Sequence, residues 1–85
     1  MYFVYILKSK KDGRLYIGCT NNLKKRIKEH NLRLVRSTKS RRPFQLIYFE
    51  GYRSKQDAFI REHNLKLRAN ALGQLKNRIK FSLKV

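Results

Sequence analysis

Acid is scarce in this chain: five Asp and Glu stand against 22 Lys and Arg in 85 residues, a formal net charge of +17. A compact chain so charged repels itself unless something negative binds it. Nucleic acid, bound through phosphate neutralisation and counterion release, is the first partner to expect, ahead of a membrane surface or an acidic protein. Cysteine is nearly absent too. The single Cys19 excludes an internal disulfide, there is no CxxC pair for zinc, and a reducing, cytoplasmic setting is expected. No apolar run approaches a membrane span and no N-terminal stretch has signal-peptide anatomy, so no membrane role is expected. The length suits one small domain over residues 1–85. Because the cations are spread along the chain rather than gathered in a tail, they suggest a folded binding face.

The pattern of the rest predicts an α+β fold. Residues 2–7 and 15–19 are rich in aromatic and β-branched side chains, and Asp12-Gly13 between them is a turn signal, so a β-hairpin is expected. Residues 44–52, following Pro43, form a third strand. Thr20 or Asn21 is placed to cap a helix over about 22–34. Ser54 and Asp57 have capping-box spacing before a helix running to about residue 67, and a last helix is expected over 72–81 with Leu72, Leu75 and Ile79 on one face. Residues 36–42 form a basic loop. The order β-β-α-β-α-α implies a small three-stranded, largely antiparallel sheet flanked by helices.

Helical phase then singles out residues that packing alone would not choose. At about 100° per residue, Leu23, Ile27 and Leu34 form the apolar stripe of the first helix. His30 falls inside that stripe and Arg26 on its border, while Lys24, Lys25 and Lys28 lie on the other side. In the next helix Ala58, Leu65 and Ala69 define a stripe that contains Glu62, with a second apolar patch at Phe59, Ile60 and Leu67. A charge on a buried stripe costs several kcal/mol unless it is paired or holds a metal. An Arg26–Glu62 ion pair with a satisfied histidine is the structural alternative to a functional site. In the strands, an even-numbered hairpin loop would put Tyr5 and Tyr16 on one face, and a three-residue loop would separate them. Two phenols facing Arg26, His30 and Glu62 would form a pocket where a phenol pKa could be lowered.

Together these residues resemble the GIY-YIG nuclease domain, over nearly the whole chain and closest to its small stand-alone bacterial type. Phe3-Val4-Tyr5 resembles the first triplet, with glycine replaced by Phe3 and isoleucine by Val4; Tyr16-Ile17-Gly18 matches the second intact. Arg26 stands at the position of the catalytic arginine, His30 where the family has histidine or tyrosine, and Glu62 at the metal-binding glutamate. Repair relatives carry lysine where this chain has Cys19, a position read here as a small buried strand residue rather than a reactive thiol. Some members use a late asparagine, for which Asn70 and Asn77 are both candidates. The resemblance implies phosphodiester hydrolysis with one divalent ion, Mg²⁺ or Mn²⁺.

The residue types suit that chemistry. Tyr16, partnered by Tyr5, is assigned as general base, with His30 relaying a proton or orienting Tyr5. Arg26 would stabilise charge on the non-bridging oxygens, and Glu62 would hold the metal against the leaving 3′ oxygen. Of the five acids, Asp12 lies in a turn, Asp57 at a helix start, Glu29 off the stripe and Glu50 at a strand end, which leaves Glu62 as the one inward carboxylate. A two-metal site wants several carboxylates, so one ion completed by water and phosphate is expected. His30 and His63 do not make a zinc pair. Lys24, Lys25, Lys28, Arg36, Lys39, Arg41, Arg42, Lys76, Arg78 and Lys80 are the candidate phosphate contacts, binding DNA in preference to RNA with little sequence specificity. The expected activity is a metal-dependent DNA endonuclease, structure-selective and of the kind used in DNA repair. The alternative is a non-catalytic DNA- or RNA-binding module on the same fold.

Overall fold

The computed structural model describes residues 1–32 and 34–84. Strands β1 (Tyr2–Ser9), β2 (Leu15–Thr20) and β3 (Phe44–Tyr52) form an antiparallel sheet in the order β2-β1-β3. Helix α1 (Leu23–Asn31) separates β2 from β3; α2 (Lys55–Leu67), α3 (Ala69–Arg78) and a 3-10 turn at Ser82–Lys84 follow. The order β-β-α-β-α-α is the one the sequence predicts. Among the described residues, no helix is long and apolar enough to cross a membrane.

The central strand β1 is buried on both sides, so it sorts the molecule into two layers. Val4 and Ile6 point to the face covered by Ala58 and Leu65 of α2 and by Leu75 and Ile79. Tyr5 and Leu7 point to the opposite face, where Leu23 and Ile27 of α1 pack with Phe44 and Tyr16. The hairpin register pairs Lys8 with Leu15 and Leu7 with Tyr16, leaving a loop of even length between Lys8 and Leu15. Tyr5 and Tyr16 therefore share a face. The turn itself is held by Ser9, whose Oγ accepts from the Lys11 and Asp12 amides, and by Gly13 at φ 72°. Phe3, at the first triplet's glycine position, packs edge-on against Phe49 with ring centroids 5.9 Å apart.

Four local expectations are corrected. Asn22, rather than Thr20 or Asn21, caps α1, its Oδ1 accepting from the Lys25 amide at 3.1 Å. The helix ends at Asn31 instead of near Leu34, and Leu34 is 68% exposed, off any stripe. Asn31 stops it because its side chain behaves as a strand partner: Oδ1 accepts from the Phe44 amide at 2.7 Å and Nδ2 donates to the Phe44 carbonyl at 3.2 Å. Arg33, in the expected helix span, lies outside the described residues. Ser54 precedes α2 but makes no side-chain capping bond, so the capping box does not form. Finally, Arg68 adopts extended backbone (φ −116°, ψ 107°) between α2 and α3, so the last helix starts at Ala69 rather than 72 and ends at Arg78. Ala69 thereby leaves the α2 stripe and is exposed, as is Phe81.

Candidate active site

The layer between α1 and the sheet contains a string of polar atoms inside an apolar wall. The Tyr5 hydroxyl lies 2.8 Å from His30 Nε2, and His30 Nδ1 lies 2.8 Å from Thr38 Oγ1; all three residues are fully buried. The Thr38 hydroxyl proton is directed to the Val35 carbonyl at 3.4 Å. Its oxygen is thus left to accept from Nδ1–H, which leaves Nε2 to accept from the Tyr5 hydroxyl. Burial first, and then the Arg26 charge, push the His30 pKa down to about 4, so the ring is neutral near pH 7. Thr38 is a participant the sequence does not announce, since it sits in a basic loop whose neighbouring residues 36, 37, 39 and 40 are exposed. Its signal is weak: one of three hydroxyl residues, with Ser37 and Ser40, among the cations that follow Val35.

At Tyr5 the pocket does not lower the phenol pKa. Burial raises its pKa to about 12; Arg26 opposes the shift, while Tyr16 and Glu62 add to it. A phenol removed from water is harder to ionise, and the Arg26 charge does not outweigh that. Tyr5 is therefore a protonated donor, not an activated phenolate. Tyr16 is the more accessible of the two phenols, half-buried, with its ring 4.9 Å from the His30 ring and 6.4 Å from that of Tyr5.

Arg26 extends from the same helix one turn before His30. Burial works against its charge, but the Tyr5 oxygen and the Glu29 carboxylate outweigh it and raise its pKa. Its Nη1 donates to Glu29 Oε1 at 3.3 Å. Glu62 comes from the opposite layer, half-buried, and pairs with Lys66 at 3.2 Å. Lys66 Nζ stands 6.0 Å from the Tyr16 ring centroid, although α2 packs on the other face from Tyr16. The pair thus reaches the phenols around the free edge of β2. The Arg26–Glu62 ion pair considered above is not formed; each charge has a partner in its own helix.

Among the described residues, no three His, Cys, Asp or Glu side chains gather as a ready metal cage. One hard carboxylate at an open edge suits Mg²⁺, which keeps most of its waters and takes one or two protein ligands. Glu62 fits that description, provided the ion displaces the Lys66 ammonium. Cys19 is half-buried against the α2 layer, and burial, reinforced by the Glu62 charge, raises its thiol pKa, as a packing residue requires. Asn70 and Asn77 are both exposed on α3.

Glu62 is not the sole inward carboxylate. Glu50, expected at a strand end, is more buried, its side chain 14% exposed against 21% for Glu62. It accepts from Tyr48 at 2.6 Å, from Tyr52 at 2.5 Å, and from Arg61 Nε and Nη2 at 2.9 and 3.0 Å. Burial pushes its carboxyl up, but these four donors outweigh burial and hold it below the usual range. Such a saturated carboxylate joins β3 to α2 and has no capacity left for a metal. Residues 48, 50 and 52 alternate onto one strand face, the pattern that could have revealed it.

Lys24, Lys25, Lys28, Arg36, Lys39, Lys76, Arg78 and Lys80 are exposed. Arg41 and Arg42 are half-buried: Arg41 pairs with Asp12 at 3.0 Å and stacks over Phe44, while Arg42 donates to the Asn31 carbonyl. An open cleft of about 380 Å³ adjoins Arg26, walled by Asn22, Lys25, Glu29, Lys55 and Phe59.

The GIY-YIG catalytic domain family matches residues 1–78. A UPF0213 protein of Clostridium perfringens is 49% identical over 67 residues, 78% of this chain and 71% of that protein. One from Desulfotalea psychrophila is 45% identical, over 76% of this chain and 60% of its own length. The solution structure of a UPF0213 protein from Bacillus halodurans superposes with a TM-score of 0.56 at 35% identity, covering 91% of this chain and 84% of that one.

Proposed function

The chain belongs to the GIY-YIG catalytic domain family, and from that premise we propose that it is a metal-dependent endonuclease acting on DNA. The observation that carries this reading is the buried Tyr5–His30–Thr38 string beside Arg26, a polar apparatus placed where packing would prefer hydrocarbon. Tyr16, the accessible phenol, takes the proton of the attacking water as its phenolate and returns to the neutral phenol. Tyr5 keeps its proton, donates to His30 Nε2, and leaves its oxygen lone pairs toward Arg26. His30, held by Thr38, fixes the orientation of that hydroxyl and packs edge-on against the Tyr16 ring. Arg26, steadied by Glu29, stabilises charge on the non-bridging phosphate oxygens. Glu62 would hold Mg²⁺ or Mn²⁺, which supplies Lewis-acid stabilisation of the leaving 3′ oxygen.

The exposed lysines and arginines hold the phosphate backbone without reading sequence. A non-catalytic binding module is the competing reading, and the Glu62–Lys66 pair favours it, since an ammonium already neutralises the one candidate ligand. Incubating the purified protein with Mg²⁺ and labelled duplex, flap, fork and single-stranded DNA separates the two. Chelator-sensitive strand breaks on any of these support the nuclease; tight, salt-dependent binding without breaks supports the module.

A further inference from the structure

Phe59 is an aromatic ring the core does not use. It lies on α2 one turn before Glu62, is 49% exposed, and forms a wall of the cleft beside Arg26. Helical spacing of three puts Phe59 and Glu62 on one side of α2. Lys55 Nζ sits 5.3 Å from the Phe59 ring centroid, and Lys25 and Arg26 face the same cleft from α1. Glu29 is the one acid lining it, and it is engaged by Arg26. What sets this ring apart from the other exposed apolar side chains is that it lines a cationic cleft, which suits a flat, negatively charged occupant. At about 380 Å³ the space lies in the range of small-ligand sites.

We propose that this cleft is a subsite for one unpaired nucleotide flanking the cleaved bond, its base stacked on Phe59 and its phosphate held by Lys25 and Lys55. The proposal rests on the nuclease reading for its position relative to Arg26, and it names the substrate class as strands with unpaired bases. A π-face and paired cations are what single-stranded nucleic acid requires, because every base offers a stacking surface and every nucleotide a negative charge. A base paired within a duplex has no free face for the ring. Asn21, and the Nδ2 of Asn22 whose Oδ1 caps α1, line the same cleft and add polar groups for a base edge.

The test reads binding in chelator, where no turnover occurs, so it stands apart from the cleavage assay. A fluorescent single strand and a strand of equal length made of abasic sites are titrated at fixed salt with the wild type, Phe59→Ala, Phe59→Leu and Phe59→Tyr. Phe59→Ala and Phe59→Leu are expected to weaken the base-bearing strand roughly fivefold or more while leaving the abasic strand within about twofold. Phe59→Tyr should bind as the wild type does. Lys55→Gln should weaken both strands alike and lower the salt dependence by about one ion. Equal losses on both strands from the Phe59 variants, or no loss on either, overturn the subsite. Phe59→Leu keeps apolar bulk and lacks only the π-face, so a folding defect in the alanine variant does not decide the matter.

Discussion

A Cβ on Gly18 would stand 2.3 Å from the Tyr5 hydroxyl oxygen, closer than any real contact. Cross-strand pairing puts Gly18 directly opposite Tyr5, so the phenol lies across the glycine's bare backbone to reach His30. The glycine of the second triplet is thus required by the tyrosine of the first, and the two motifs are one device.

Gly18→Ala is therefore expected to push the Tyr5 ring away from His30. Overpacking of this kind costs about 1–3 kcal/mol. Denaturant unfolding should report that loss, and a Tyr5→Phe, Gly18→Ala double variant should lose less than the sum of the two single changes, because a ring no longer tied to His30 can shift off the added Cβ, which would otherwise crowd its Cζ at 2.4 Å as well.

Thr38→Val, nearly the same shape, removes the acceptor for His30 Nδ1–H. An orphaned buried donor costs roughly 1–3 kcal/mol. Nitrogen NMR of the wild type should find the His30 proton on Nδ1. A proton on Nε2 would reverse the direction assigned to the Tyr5 hydrogen bond.

Stability should decline at both ends of the pH scale, for opposite reasons. His30 has its folded pKa depressed from 6.5 to about 4, so the unfolded chain takes up a proton first as pH falls. Its contribution is present above about pH 6.5 and is lost on the way to pH 4, a change on the order of 3 kcal/mol. Tyr5, Tyr48 and Tyr52 have folded pKa values raised from 10.0 to about 12. Their contribution is intact below pH 10 and disappears as pH rises toward 12. Urea unfolding across pH should give both limbs, and His30→Gln should flatten the acid one.

Glu50→Gln leaves Arg61 without its carboxylate and the β3–α2 junction weakened. Hydrogen bonds to a charged group of this kind are worth roughly 1.5–3 kcal/mol. Because Arg61 directly precedes Glu62, the variant should also raise the Mg²⁺ concentration needed for half-maximal cleavage. An unchanged metal dependence with a lowered stability would limit the Glu50–Arg61 clamp to a structural role.

How far the sequence foretold this arrangement depends on what each feature is made of. Strand alternation and the parity of the hairpin loop are local, so the shared face of Tyr5 and Tyr16 was foreseeable once the loop length was known. Helical phase placed His30 inside, and it is fully buried. The same reasoning failed where tertiary structure decides. The sequence has no glycine or proline at Arg68 to mark the break that removes Ala69 from its stripe. Leu34 lost its place because Asn31 is claimed by β3, a strand more than ten residues away. Glu50 was taken for a strand end because its four donors come from two elements and become visible only when those pack. That Tyr5 keeps its proton was not legible either, because the weight of burial against the Arg26 charge appears only once the sheet and α1 are packed.

The central claim is that Arg26 and Glu62 act together with the phenols to break phosphodiester bonds. Single-turnover cleavage of a labelled DNA flap, measured against Mg²⁺ concentration, tests it most directly. The wild type should cut only with the ion present, Arg26→Ala should slow the reaction by roughly 10²–10³, and Glu62→Gln should abolish its metal dependence together with the cutting. Cleavage that persists at the wild-type rate in Glu62→Gln would contradict the account.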